Sequence, residues 1–142
     1  MISNFDIRTK QFLSITSEMI ETHHQFYLTG SRFFGGAADS SDWDFFVENS
    51  AEIDYWLRTH EFIPETETDY DDSNLLIASQ AAAVWIHPAR IHVQIVIDAK
   101  KKNIVQNAIA VGFSSTFSKM PKSNQRQIWN LAYYIYEAAG RK

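Results

Sequence analysis

A glycine–serine pair followed by two closely spaced aspartates is the part of this sequence whose residue types could do chemistry. Gly30 and Ser31 follow the apolar stretch 26–29, and ten residues separate Ser31 from Asp42, with Asp44 two positions further on. Because alternate side chains of a strand face the same way, the two carboxylates should converge. Paired carboxylates suit a hard cation such as Mg²⁺, and a Gly-Ser turn offers backbone N–H groups and a hydroxyl to a phosphate. The pattern therefore predicts chemistry on a nucleotide.

This Gly-Ser-x10-Asp-x-Asp spacing resembles the signature of the nucleotidyltransferase superfamily related to DNA polymerase beta. It is most similar to the minimal nucleotidyltransferases, short proteins of which some act as antitoxins. The resemblance covers about residues 25–98. The order of the predicted elements indicates an α/β (α+β) class with a short mixed β-sheet and helices packed on it, and 142 residues suit a single domain, 1–142. The resemblance implies that this is a nucleotidyltransferase-like fold. It also implies transfer of a nucleoside monophosphate from an NTP to a hydroxyl acceptor, with Mg²⁺ or Mn²⁺ as cofactor.

The resemblance assigns a role to each residue of the motif. Asp42 and Asp44 would be catalytic metal ligands, since two bridged metal ions about 3.5–4 Å apart align the reactants and neutralise phosphoryl charge. Ser31 would hold the β- and γ-phosphates, and Gly30 would let the backbone approach closely. Arg32 follows directly and either adds positive charge to the triphosphate or is a surface or structural arginine.

The family's third carboxylate has no counterpart on the expected strand, residues 91–97. Depending on register, that acid falls at His92 or Gln94, which share a strand face. A neutral imidazole can act as a base or bind a softer ion such as Mn²⁺, whereas Gln94 can bind a metal only through its carbonyl oxygen. We therefore assign His92 to the catalytic set with the aspartates and Gln94 to the metal ligands.

Other acids could substitute for the missing carboxylate. Asp39 lies inside the signature loop, which is the stretch 32–41 between Ser31 and Asp42, and an acidic stretch occupies residues 65–72. Asp98 is six residues beyond His92, roughly 20 Å along a strand, and its position suits a helix N-cap better. The missing acid also supports an alternative, a catalytically silent copy of the fold that serves as a binding or antitoxin-like module. A third interpretation is an α/β protein whose motif is coincidental.

Two pairs of neighbouring side chains near the motif have open roles. Phe33 and Phe34 lie beside the expected phosphate site and either stack on a nucleobase or close the end of the sheet. His23 and His24 end the first predicted helix, where polar groups suit the dipole. Adjacent helical residues point apart, so we do not expect them to share a metal ion.

Apolar periodicity and turn residues predict the elements that must position these groups. The predicted order is a helix over 6–23, strands over 25–29 and 43–48, a helix over 51–60, a loop over 64–73, a short strand over 75–79, a hairpin of 82–87 and 91–97, and helices over 99–110 and 124–139. In the last helix, we expect an inward stripe of Ile128, Leu131, Ala132 and Ile135.

Bulk composition limits the classes of partner. The 142 residues are 45% hydrophobic and have a formal net charge of −4, which argues against a general nucleic-acid coat protein. Without cysteines, a secretory signal or an apolar run of roughly 18–20 residues, the chain is expected to be cytoplasmic and not to bind membranes.

The expected partners are a nucleotide and an acceptor on a small molecule, a protein or an RNA end. A protein partner or a homodimer could supply the acceptor surface.

Overall fold

The computed structural model describes residues 4–65, 84–113 and 116–140, which contain five strands and five α-helices. The strands are β1 Tyr27–Thr29, β2 Trp43–Glu48, β3 Ile63–Glu65, β4 Val84–His87 and β5 Ile91–Val96. The helices are α1 Asn4–Glu21, α2 Ser31–Phe34, α3 Ile53–Thr59, α4 Ala99–Phe113 and α5 Lys122–Gly140, with a 3₁₀ turn at Phe117–Lys119. Within the described ranges, no helix has both the length and the apolar character that crossing a bilayer requires.

The five strands form one mixed sheet in the order β1-β2-β5-β4-β3. Its central pair, β2 and β5, is parallel, and the other three pairings are antiparallel. A parallel pair needs a crossover, and here the chain between β2 and β5 contains α3 and the β3–β4 strands. This arrangement confirms the expected mixed α/β class with a short mixed sheet and helices packed on it.

Side chains alternate between the two faces of the sheet along β5. Ile91, Val93 and Ile95 are almost fully buried on the face that α1 and α3 cover. Ile53 and Leu57 of α3 have no exposed surface and belong to the same cluster, since residues four positions apart share one face of a helix. The larger apolar core therefore lies between this face and the first and third helices.

The opposite face of the sheet, which we call the site face, contains His92, Gln94 and Asp44. Helix α4 packs on this face, and α5 packs on α4. A second apolar cluster joins α2, α4, the 3₁₀ turn and α5; its buried members are Phe34, Val105, Ile109, Phe117 and Trp129. The site face is thus covered by helices along part of its area, and its polar residues Asp44, His92 and Gln94 lie on the neighbouring strands β2 and β5.

The predicted loop over 64–73 is wrong at its start. Pro64 and Glu65 belong to β3 and pair with Trp85 and Val84 of β4. Pro64 fits there because β3 is an edge strand, where a missing N–H costs no hydrogen bond to a neighbour. The rest of that predicted loop and the predicted strand over 75–79 lie outside the described residues.

The predicted inward stripe of α5 is wrong at two of its four positions. Leu131 and Ile135 are 59% and 60% exposed, whereas Trp129 is only 8% exposed. Ile128 and Ala132 do pack against the second cluster. Helical periodicity predicts which residues share a stripe, but the elements packed against the helix decide which stripe faces the core. Here the large indole of Trp129 packs against Phe34 of α2 and orients the helix.

Candidate functional site

The site begins with the register of the two central parallel strands. Asp44 of β2 lies directly opposite His92 of β5. Nδ1 of His92 is 3.6 Å from Oδ1 of Asp44, and Nε2 is 3.7 Å from Oδ2 of Asp42. The two carboxylates therefore converge, and one imidazole lies between them with a different nitrogen toward each. Of the two positions expected for the missing third acid, the one beside the aspartates is His92.

Gly30 brings the backbone of the Gly-Ser pair against Asp44. Its φ of 72° and ψ of −160° lie in a region that essentially only glycine adopts. A Cβ at this position would lie 2.6 Å from Oδ2 of Asp44, which is closer than real Cβ contacts. Both the backbone conformation and the close approach to Asp44 thus favour glycine at this position.

Ser31 follows Gly30 and starts α2, a single helical turn that the sequence analysis had treated as part of a loop. The carbonyl of Gly30 accepts hydrogen bonds from the N–H groups of Phe33 and Phe34, which closes this turn. The turn forms because the side chain of Phe34 is buried against Phe117 and Trp129. This burial places Phe34 in the second apolar cluster, which favours a packing role for its ring over stacking on a nucleobase.

Arg32 holds the signature loop. Its Nη2 donates to the carbonyl oxygens of Asp39 at 3.1 Å and Ser41 at 2.9 Å. Its guanidinium also lies 4.5 Å from the centre of the Trp43 ring, within cation–π distance. Of the two roles open from the sequence, these contacts favour the structural one. Arg90 of the β4–β5 turn donates to the Ser40 carbonyl at 2.7 Å and fixes the same loop, which sequence reasoning missed.

Gln94 lies two residues beyond His92 and opposite Phe46, so it is further along the site face than the aspartates. Its Oε1, the atom that would bind a metal ion, accepts a hydrogen bond from Nζ of Lys102 at 2.8 Å. Lys102 is only 5% exposed, although it belongs to a run of three lysines, 100–102, and lysine side chains are mostly exposed in proteins. The spacing of α4 indicates this burial: Ala99 lies three positions before Lys102, so the two residues share one face of the helix.

Asp44 has an unfavourable environment for its charge. Burial raises the pKa of this carboxyl above its ordinary value of 3.8, and the negative charge of Asp42 raises it as well. His92 and, more weakly, Lys122 lower it. Lys122 is the first residue of α5, so the start of that helix contributes positive charge at the site. Lys122 and Asp44 are far apart in the sequence, and only the packing of α5 brings the lysine near this carboxyl.

Asp42 and Asp44 could together hold a hard divalent cation, because such ions prefer carboxylate oxygens and the two side chains lie on either side of one imidazole. His92 uses a different nitrogen toward each, so it does not join them in a compact three-ligand group. Among the described residues, the group of three whose donor atoms all lie within 4.8 Å of one another is His23, His24 and Glu52. The expectation that these two histidines point apart is therefore wrong, because α1 ends at Glu21 and both lie beyond it.

Two spare acids of the sequence analysis have defined places. Asp98 caps α4, since its Oδ1 accepts a hydrogen bond from the N–H of Lys101 at 3.2 Å, as the N-cap interpretation requires. Asp39 lies in the signature loop, where its backbone carbonyl accepts from Arg32. The acids beyond Glu65 in the predicted acidic loop lie outside the described residues.

Comparison with known proteins adds no relative. Neither protein-family models nor curated proteins nor solved structures give a significant match to this chain. The assignment of a function therefore depends on the motif and on the geometry of its residues.

Proposed function

We propose that this chain is a minimal nucleotidyltransferase-type protein that binds an NTP with Mg²⁺ or Mn²⁺ at Gly30, Ser31, Asp42 and Asp44. It would transfer the nucleoside monophosphate to a hydroxyl acceptor. The observation that supports this most is the approach of Gly30 to Asp44, where a Cβ would lie 2.6 Å from the carboxylate. The Gly-Ser turn and the Asp-x-Asp strand are separate in sequence, yet they meet as nucleotide chemistry at this motif would require.

In the proposed reaction, the acceptor oxygen forms a bond to the α-phosphorus, and the bond from that phosphorus to the α–β bridging oxygen breaks, releasing pyrophosphate. A divalent cation held by Asp42 and Asp44 would supply the neutralisation of phosphoryl charge. The protein's own residues position the reactants: the Gly30 backbone leaves room beside Asp44, and Lys122 adds positive charge nearby. Catalysis of this kind depends mainly on alignment and electrostatics.

His92 is the candidate general base. In its neutral form, the imidazole can accept the proton of the acceptor hydroxyl, and the carboxylates 3.6 Å and 3.7 Å from its nitrogens would stabilise the resulting cation. Lys102 holds Gln94 two residues further along the strand, which leaves His92 as the polar β5 side chain beside the aspartates.

The second candidate function is a catalytically silent binding or antitoxin-like module with the same fold. The position of His92 favours it, because the residue opposite Asp44 adds no negative charge where the family has an acid. Such a module would bind a nucleotide, or a protein partner, without transferring a nucleotidyl group.

Isothermal titration of the full chain with each of the four NTPs, with and without Mg²⁺ or Mn²⁺, tests the proposal. We expect metal-dependent binding that falls at least tenfold, about 1.4 kcal/mol, in the Asp42→Ala/Asp44→Ala variant. Asp54→Ala is the matched control, since it removes an acid from the first turn of α3 instead. Absence of metal-dependent binding in the wild type would refute the nucleotide site.

Labelled nucleotide distinguishes the two functions. Incubation with α-³²P-NTP and Mn²⁺, with RNA ends and with the chain itself as acceptors, should give incorporation if the protein is a transferase. His92→Gln should then lower incorporation while leaving NTP affinity within a few-fold. Nucleotide binding without incorporation into any acceptor would favour the silent module.

A further inference from the structure

A second group of metal-binding side chains lies at the end of α1, away from the motif. One donor atom from each of His23, His24 and Glu52 lies within 4.8 Å of the others. Nε2 of His23 is 3.1 Å from Oε2 of Glu52, and the two imidazole rings are 4.0 Å apart between centres. Donor atoms at these separations can reach one ion with small side-chain rotations, because zinc bonds are about 2.0–2.2 Å long.

The convergence follows from where the two helices end and begin. The last hydrogen bond of α1 joins the N–H of Thr22 to the Glu18 carbonyl, so His23 and His24 are released from the 100° spacing of a helix. Glu52 is 29 residues away from His23 and is the residue that precedes α3. Tertiary packing of α1 and α3 against the same sheet face thus brings the three residues together.

The donor types select a class of metal ion. Two imidazole nitrogens and one carboxylate oxygen suit Zn²⁺ and similar transition metals, whereas Mg²⁺ and Ca²⁺ prefer oxygen donors alone. Three protein ligands leave a fourth tetrahedral position open to water or another small ligand.

A cavity adjoins this group. It has a volume of about 350 Å³, and its lining includes Thr16, Met19, His23, His24, Phe26 and Phe45. The histidines therefore form part of the wall of a space large enough for a small molecule. A ligand on the open position of the metal would have an adjoining, partly apolar cavity to occupy.

We propose that His23, His24 and Glu52 form a Zn²⁺ site that links the end of α1 to the start of α3 beside this cavity. The site is independent of the proposed nucleotide chemistry. A competing explanation is a simple surface ion pair between His23 and Glu52, whose side chains are 73% and 74% exposed. Such a pair stabilises a protein by only about 0–1 kcal/mol and needs no third residue. The involvement of His24 separates the two explanations.

Titration of the metal-free full chain with Zn²⁺ tests the site, with Co²⁺ as a spectroscopic probe. The measurements use the Asp42→Ala/Asp44→Ala background as well as the wild type, which excludes binding at the motif. In the Asp42→Ala/Asp44→Ala background we expect one Zn²⁺ per chain, and the visible absorption bands of Co²⁺ bound to nitrogen and oxygen ligands. Zinc at a hundred times its Kd should raise the ratio of folded to unfolded protein about 100-fold.

Single substitutions identify the ligands. His24→Gln and Glu52→Gln should each lower zinc affinity at least tenfold and abolish the Co²⁺ bands. His60→Gln is the matched control, since its imidazole faces Glu18 and lies outside the group; it should bind zinc like the wild type. Because Glu52 is exposed, its variant should fold even if His24→Gln does not. Absence of binding, or affinity unchanged in the Glu52 variant, would overturn the proposal.

Discussion

Substitution of Gly30 by alanine is the sharpest test of the motif's geometry. The added methyl group would lie 2.6 Å from Oδ2 of Asp44, 3.2 Å from its Cβ and 3.3 Å from its carboxyl carbon. Ordinary van der Waals contact begins near 3.4 Å, so the carboxylate oxygen would have to move about 0.8 Å. The same substitution places a side chain on a residue with φ of 72° and ψ of −160°.

The expected cost follows from these two effects. A non-glycine residue in that backbone region costs on the order of 1–3 kcal/mol. Rotation of Asp44 can relieve the contact, so the steric term adds little to stability, but it moves a proposed metal ligand. With about 2–4 °C per kcal/mol for a chain near this size, the midpoint of thermal unfolding should fall by roughly 2–12 °C. Metal-dependent NTP binding should weaken at least tenfold.

Thermal and urea unfolding of Gly30→Ala, followed by isothermal titration, measures both consequences. Gly112→Ala is the control, since a Cβ there meets nothing within 4 Å and the residue lies in α4. Its stability should be unchanged or higher by up to about 1 kcal/mol, because alanine favours the helix. If Gly30→Ala were as stable as Gly112→Ala and bound NTP normally, the close approach to Asp44 would be refuted.

Three further substitutions test the site and the core. Asp44→Asn should raise the thermal unfolding midpoint at pH 7, because burial raises the pKa of the carboxyl and its ionised form therefore opposes folding. This gain in stability should vanish as the pH falls through the folded-state pKa toward 3.8. A lower midpoint at pH 7 would contradict this expectation. Arg32→Ala removes two hydrogen bonds and the contact with Trp43, and should cost about 1–3 kcal/mol in urea unfolding; a loss below about 0.5 kcal/mol would contradict its structural role. Leu57→Ala leaves a cavity at a fully buried position and should cost about 2–5 kcal/mol, so a smaller loss would place Leu57 outside the core.

Local pattern was sufficient for much of the framework of the site. The alternation of polar and apolar residues predicted β2 with the bounds that the structure has, 43–48. The predicted hairpin is present as β4 and β5, which the turn around Pro88 separates, and Asp98 caps the helix that follows. Each of these features depends on residues a few positions apart, which is why a sequence can specify it.

Features that depend on distant segments were missed or left open. The sequence predicted that His92 and Gln94 share a strand face, but the parallel pairing of β2 and β5 decided which of them meets Asp44. The burial of Lys102 and the exposure of Leu131 likewise depend on how α4 and α5 pack. Periodicity defines the faces of an element and leaves its partner undetermined.

By itself, the sequence determined the motif, the alternation that points Asp42 and Asp44 the same way, and the mixed α/β class. Only the tertiary structure decided that Gly30 contacts Asp44, that an imidazole lies between the two carboxylates, and that His23 and His24 converge on Glu52. The physical reason is the distance along the chain over which each effect acts. Side-chain direction within a strand or helix follows from backbone geometry, whereas contacts between segments follow from the burial of apolar surface over the whole chain.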